Sequence, residues 1–387
     1  MKDEPLMMTQ AVGWLLRQPF NGEREVGWLL GIAEHDARHL LHELRLRGRV
    51  DWIDPGSPDI QRRRRYFVTE AAIAAWCAAR ETSVSTLAQV VPAGRNDLLR
   101  RIASIEVTTR VNRLCAELAA GLRNGDHELI DARSLPLGGP PAARWWLPGV
   151  DAYGCLRVGR RYAPFLVAWD RTAAPDIHRR QRAALWRREA AKVRGHWGLV
   201  GLPPVLVACP TVREIAFWRR ALADEADGPR PPLAAFFTTR WALEEHGAAG
   251  PIWQSTAGEA GRLVEQVGWG PEPPVPPLPS LDGFPDPEPG AHRRPGALGR
   301  WAAEHVTTEN TRARWQHASA LALAMGPGEQ KSLGWIARHP LLAASDLAEF
   351  LDEPADLIER RLEWLVRGRA VASVPPHQPM TTEGETI

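Results

Sequence analysis

GWLLRQPFNGEREVGWLLGIAEHDARHLLHEL, residues 13–44, returns at residues 334–365 as GWIARHPLLAASDLAEFLDEPADLIERRLEWL, without a gap and at a constant offset of 321. Seven positions are identical: Gly13/Gly334, Trp14/Trp335, Arg17/Arg338, Pro19/Pro340, Leu30/Leu351, Leu41/Leu362 and Leu44/Leu365. Chance gives about two over such a length at ordinary residue frequencies. Leu15/Ile336, Phe20/Leu341, Val26/Leu347 and Leu29/Phe350 fill the same apolar slots conservatively. Both copies then reach Arg-Gly-Arg, at 47–49 and 367–369, and turn into a short β-type run. The chain therefore carries one module at each end.

The first copy reads as a helix stopped by Pro19, which lacks an N–H and restricts the residue before it. A second helix is expected at Glu23–Leu30 and a third at Glu34–Arg47, followed by a strand at Val50–Ile53. After a loop with Pro55 and Pro58 comes a return strand, Arg65–Thr69. Three helices and a hairpin spell a winged helix-turn-helix over residues 8–80. A generic three-helix bundle is the plainer alternative, against which the hairpin and the duplication both count.

At about 100° per residue, Ala37, Leu40, Leu41 and Leu44 of the third helix point one way. His35, His39 and His42 fall on the other side, flanked by Arg38 and Arg45. A helix held by its apolar face and showing donors outward is what recognition of base edges and phosphates requires. Three histidines at i, i+4 and i+7 also fit a metal, but no Cys or carboxylate supports that reading, and none is expected. Arg62, Arg63, Arg64 and Arg65 in the wing suit sequence-independent phosphate contact, or else a merely solvated loop. The partner so implied is double-stranded DNA. In the second copy, over 300–387, the third helix shows Asp356, Glu359, Arg360, Glu363 and Arg367, a balanced face suited to a protein partner or a homodimer rather than DNA. The chain stops at Ile387, where a second hairpin would be finishing, the ending expected of a fragment.

With 387 residues, one core is not enough, and two or three domains are expected. No apolar run approaches the roughly 20 residues that span a bilayer, and the first ten residues carry Asp and Glu rather than a signal segment. A cytosolic protein without membrane contact follows. Cys77, Cys115, Cys155 and Cys209 lie far apart and read as reduced core residues. The formal net charge is +2, but only three of 48 basic residues are lysine. Arginine grips phosphate or a guanine edge bidentately, though such a bias equally records a GC-rich coding sequence. Residues 157–194 concentrate it, with eleven basic side chains against three acidic ones.

Between the modules, apolar spacing from Leu98 to Leu118 predicts a long connecting helix at 94–123, within a connecting segment at 94–135. Strand-like runs follow at Tyr153–Val158, Ala163–Trp169 and Pro204–Cys209, with an Arg-rich helix from about Ile177 to Gly195 and another helix at Arg213–Ala223. A short strand at Ala234–Thr238 completes a small mixed-sheet α/β domain at 144–266. Arg179, Arg180 and Arg182 on the basic helix are candidate DNA-backbone contacts. Ten prolines within 271–295 mark a semi-rigid linker, placed at 267–299. The fold class is thus α/β multidomain, with a winged helix at each end.

Asp151 and Asp170, at neighbouring strand ends, could together hold Mg2+ for phosphodiester hydrolysis. A simpler reading makes Asp170 and Arg171 a strand-end ion pair. No P-loop, GxGxxG, GxSxG or HExxH occurs, which removes nucleotide hydrolysis, dinucleotide redox and zinc-protease chemistry from support.

Gly149-Val150-Asp151-Ala152 before a strand, then Phe165-Leu166-Val167-Ala168-Trp169-Asp170-Arg171-Thr172, then Pro204–Val207 with Arg213, resembles the replication-relaxation family. Such proteins are found on plasmids and integrative elements of Gram-positive bacteria. The resemblance implies an N-terminal winged helix and a central domain related to PD-(D/E)xK, or restriction-endonuclease-like, nucleases. It places Asp151, Asp170 and Arg171 on the family's motif positions. Val150 stands where the family has Pro, Ala168 where it has Glu, and Ala173 follows Thr172 where a Gly-Thr pair belongs. Loss of the Glu removes a metal ligand, so the resemblance implies a catalytically inactive DNA-binding protein acting in replication, relaxation or transfer beside a relaxase or replication initiator. A metal-dependent nickase and a winged-helix transcription repressor are the alternatives.

Overall fold

A computed structural model describes residues 4–53, 64–94, 97–98, 101–102, 104–123, 125–135, 146–171, 176–194, 197, 202–223, 233–271, 285–287, 325–338, 342–367 and 371. The chain divides into two compact units, Met1–Ala303 and Glu304–Ile387.

In the first unit, α1 (Glu4–Arg17) ends at the approach to Pro19. α2 (Glu23–Leu30) begins where the Glu25 carboxylate accepts the Gly22 N–H at 2.9 Å, and its first-turn acids face the positive end of the helix dipole. It ends at Gly31, φ +75°, a left-handed residue whose N–H returns to the Gly27 carbonyl. α3 (Glu34–Leu46) buries Ala37, Leu40, Leu41 and Leu44. β1 (Val50–Ile53) and β2 (Arg65–Val68) pair antiparallel, and Thr69 then caps α4 (Glu70–Ala79) by accepting the Ala72 N–H. With α5 (Val84–Leu87) these elements enclose one core around Leu15, Leu41, Leu44, Val68 and Trp76. The expected bounds of the second and third helices and of the hairpin hold to within a residue, whereas the connecting helix expected at 94–123 starts its continuous run only at Ile105, after Ser104.

α6 (Ile105–Leu122) leads to a seven-stranded sheet in the order β3 (His127–Ser134), β4 (Ala152–Val158), β5 (Arg161–Trp169), β6 (Val205–Cys209), β7 (Ala235–Thr239), β8 (Trp253–Ser255) and β9 (Ala260–Gly261). β3, β4 and β5 form an antiparallel meander. β5, β6 and β7 are parallel, and β8 and β9 return antiparallel. α7 (Asp176–Arg194) and α8 (Val212–Ala223) make the parallel crossovers, as parallel strands require. α9 (Arg240–His246) follows β7, and α10 (Leu263–Gln266) follows β9. Alternation sorts the strands onto two cores. Phe165, Val167, Leu206 and Phe236 face α6 and α9, whereas Leu166, Val205, Val207 and Phe237 face α7 and α8. All five residues of β6 are buried because both its faces are covered. On the second face Trp186 stacks on Trp218, with centroids 5.1 Å apart.

The sheet is larger than the small one expected. Residues 127–134, read as part of a connecting segment, form its first strand, and Val267 and Gly270, read as linker, belong to its packing and to a bridge with Tyr162. Nor is the N-terminal bundle a bead on a string. Leu29, with Trp14 and Trp28, joins the core under α6, Arg123 donates to the Trp28 and Leu29 carbonyls, and Arg17 pairs with Asp131 at 3.6 Å. Of the proline-rich segment, Pro285–Pro287 is described, and Asp286 there accepts from Arg49 at 2.6 Å.

The second unit contains α11 (Pro327–Arg338), α12 (Ala344–Leu351) and α13 (Ala355–Arg367). Adding 321 to the bounds of α2 and α3 gives those of α12 and α13. The caps follow the same offset. Asp346 accepts the Ala343 N–H at 2.8 Å, and Asp352, φ +52°, stands left-handed in the place of Gly31. A second hairpin, expected after α13, falls outside the described residues. Among the described residues no helix is long and apolar enough to cross a membrane.

Candidate nucleic-acid interface

α3 presents His35, Arg38, His39, His42, Arg45 and Leu46 to solvent. The opposite face is fixed in the core, so the outward set is held at one orientation. His35 lies 2.9 Å from Asp36 and meets the His39 ring edge-on at 6.4 Å. Arg38 donates to Glu23 at 2.8 Å, a bond that raises its pKa. Glu23 also accepts from the Tyr66 hydroxyl at 3.0 Å, which ties α2, α3 and β2 together. Burial, with the Glu23 charge, pushes Tyr66 up to about 12, against the opposing pull of Arg64.

The hairpin lies at the C-terminal end of α3. The Trp52 ring is flanked by Arg45, 5.7 Å from its centroid, and Arg64, 4.9 Å away, and Arg45 lies 3.6 Å from Asp51. Stacking on the Trp52 ring restrains both guanidinium groups, and both side chains stay exposed. Arg62 and Arg63 fall outside the described residues. Arg65 corrects the expectation of four solvent-facing arginines: it is 7% exposed and pairs with buried Glu25 at 3.2 Å. All four residues of β2 are buried, and Arg65 is accommodated where α2 supplies the Glu25 carboxylate.

The basic helix needs a similar correction. Arg179, a candidate backbone contact, is 4% exposed and donates to Asp170 at 2.7 Å, to Asp176 at 3.0 Å and to the Arg171 carbonyl at 3.2 Å. Burial alone would lower its pKa, but the bond to Asp170 and the charges of Asp170 and its acidic neighbours raise it. Arg182 bonds to the Gly149 carbonyl and lies 3.8 Å from Asp151, and burial lowers its pKa against the pull of Asp151. Arg180 alone of the three faces outward, 5.5 Å over the Phe217 ring.

The two candidate acids are likewise engaged. Asp170, 2% exposed, accepts from Arg179 and from the Trp218 indole at 3.0 Å through one oxygen, and its main-chain carbonyl accepts from Arg240 at 2.5 Å. The ion pair expected with Arg171 is made with Arg179 instead, and the Arg171 side chain is exposed. Asp151 accepts the Trp169 N–H at 2.7 Å. A cation at Asp170 would have to displace a buried guanidinium and an indole, leaving both unsatisfied. Among the described residues no group of three or more His, Cys, Asp or Glu side chains is placed to hold a metal.

Sequence reading missed the tryptophan behind the hairpin arginines and the exposed Trp241 that opens α9, 67% exposed. Its signal was positional, an aromatic two residues past the end of a parallel strand. No family model matches the chain, and no curated protein or solved structure matches it either.

Proposed function

We propose that the chain is a DNA-binding protein without hydrolytic activity, in which the first module is a winged helix-turn-helix and α3 enters the major groove of duplex DNA. One observation carries the reading: a helix with its apolar face locked in the core turns three histidines and two arginines outward beside an arginine-bearing hairpin. Base edges would be met by His35, His39, His42 and Arg45, and backbone phosphates by Arg64 and its neighbours in the wing. The restriction-endonuclease-like reading of the α/β part makes it a scaffold, since the carboxylate that hydrolysis would use is consumed by Arg179 and Trp218. Action in replication, relaxation or transfer of a mobile element, beside a relaxase or initiator, rests on the motifs around Asp151 and Asp170 alone. The second module, with its balanced α13 face, is assigned to a protein partner or a second copy.

Selection of bound duplexes from a random pool, followed by anisotropy titration at several salt concentrations, tests this. His42→Ala or Arg45→Ala is expected to weaken the selected site by about 1–3 kcal/mol per lost base contact and to leave random duplex nearly untouched. Arg64→Ala is expected to weaken both alike and reduce the salt slope by about one. A chain that ignores duplex DNA at about 50 mM salt overturns the proposal, because phosphate contacts are strongest there.

A further inference from the structure

The carboxyl ends of β5, β6 and β7 form a rim of unusual composition. Among described residues 104–271 the exposed large apolar side chains are Ile177, Val212 and Trp241, at 55%, 69% and 67%. Each lies in the first turn of the helix that follows one of the three parallel strands. Neighbouring strands lie about 5 Å apart, so these first turns share one edge. Two contacts draw them together: Arg240 reaches across to the Asp170 carbonyl at 2.5 Å, and Arg213 stands 4.0 Å from Asp176. Open α/β sheets bind ligands at this edge.

Charge decides what the rim suits. Its acids are occupied within the fold: Asp176 by Arg179, Glu214 by the Thr211 N–H and hydroxyl, Glu244 by Arg110 and Glu245 by His246. Its cations are not equally bound. Arg213 is 83% exposed, and Arg171 and Arg180 are exposed with no carboxylate against either guanidinium among the described residues. An exposed indole on the same sheet edge as outward guanidinium groups favours a polyanion that also offers flat aromatic faces. In a duplex those faces are stacked away, whereas an unpaired strand leaves them open.

We propose that the rim binds an unpaired stretch of nucleic acid, with a base stacked on Trp241 and phosphates met by Arg171, Arg180 and Arg213. The proposal rests on the nucleic-acid reading above but uses a different surface from α3.

The test is anisotropy titration of the full chain with a fluorescein-labelled 20-nucleotide oligothymidine and a labelled 20-base-pair duplex at about 50 mM salt. Trp241→Ala is expected to weaken oligothymidine about ten-fold or more while duplex affinity changes less than about two-fold, and Trp241→Phe to recover most of the loss. Arg171→Ala with Arg213→Ala is expected to lower the salt slope for the single strand. His42→Ala should leave oligothymidine unaffected. Trp241 lies outside the core, so unchanged thermal melting separates lost binding from lost folding.

If the wild type binds duplex but not oligothymidine, the rim proposal fails and the α3 reading survives; if it binds neither, both fail. If Trp241→Ala leaves single-strand binding intact, or weakens both ligands equally, the stacking role is overturned and the rim belongs to a protein partner or to general charge.

Discussion

Two copies of one helical trio live in opposite surroundings. In the first, Trp14, Trp28 and Leu29 press into the core shared with α6 and the sheet. The matching positions of the second are Trp335, Glu349 and Phe350; Phe350 is 53% exposed and stacks on Trp335 at 5.0 Å. What survived duplication is local chemistry: the carboxylate that caps the second helix, the left-handed residue that ends it and the buried positions Val26/Leu347, Ala37/Ile358 and Leu44/Leu365. What diverged is whatever depended on neighbours. Fixing a short helix needs only its own caps and one apolar stripe, whereas the docking of the first copy depends on α6 and the sheet against which Trp14, Trp28 and Leu29 pack.

The interior itself shows one exchange. Ile32 and Leu40 meet the apolar core of the first copy, while their counterparts Glu353 and Arg361 form an ion pair in the second, with the Arg361 side chain 5% exposed. Glu353→Ile removes that carboxylate from a buried guanidinium and is expected to destabilise the second unit by about 3–5 kcal/mol. The double substitution Glu353→Ile with Arg361→Leu imports the pair of the first copy. It should recover wild-type stability or exceed it, since apolar replacements of buried pairs are often neutral or stabilising by about 1–4 kcal/mol. Hydrogen exchange of the α13 amides reads the second unit separately. Equal losses in the single and double variants would show that the two interiors are not interchangeable.

Such pairs mark the limit of what the sequence discloses. Helix ends were legible because Pro19 and the repeated spacing act within a few residues. The outward face of α3 was legible because helical periodicity alone assigns it. β3 was not: HELIDARS has little apolar content, and its place at the sheet edge comes from pairing with β4. Arg65 and Arg179 were misread for one common reason. Composition makes an arginine look free, and only Glu25 on α2, or Asp170 at the end of β5 with Asp176, turns it inward. The exposed cations of the candidate surfaces could be told from the buried structural ones only once these partners were in place.

A second asymmetry concerns titration. Glu23, which receives Tyr66 and Arg38, has Ala344 at its counterpart position, and Arg38 has Glu359. Tyr66 is raised to about 12 in the folded chain, above the ordinary tyrosine value of about 10. Below pH 10 its contribution is complete. As pH climbs toward 12 the unfolded chain loses the proton first, so that contribution disappears, to the extent of roughly 2 kcal/mol. Burial also raises Tyr153, so the wild type loses stability from more than one source. The difference between wild type and Tyr66→Phe, measured by chemical unfolding at pH 9 and pH 11.5, isolates Tyr66. It should shrink over that interval and appear only in the transition of the first unit. A constant difference would remove the hydroxyl–carboxylate bond as a stabilising link.

The smallest effect tests whether the left-handed position is equivalent in the two copies. Gly31, φ +75°, is glycine for two reasons: a side chain there is strained, and a Cβ would meet the Arg123 guanidinium that holds the end of α2. Asp352, φ +52°, is exposed and bears the same backbone strain. Gly31→Ala should therefore cost about 1 kcal/mol for the backbone conformation and further weaken the grip of α6 on the module. Asp352→Gly removes strain but frees the unfolded chain, so its gain should stay below about 1 kcal/mol. Opposite signs in unfolding midpoints would locate the difference in the Arg123 contact. Two losses of equal size would mean that the docking of the first module adds nothing at this turn.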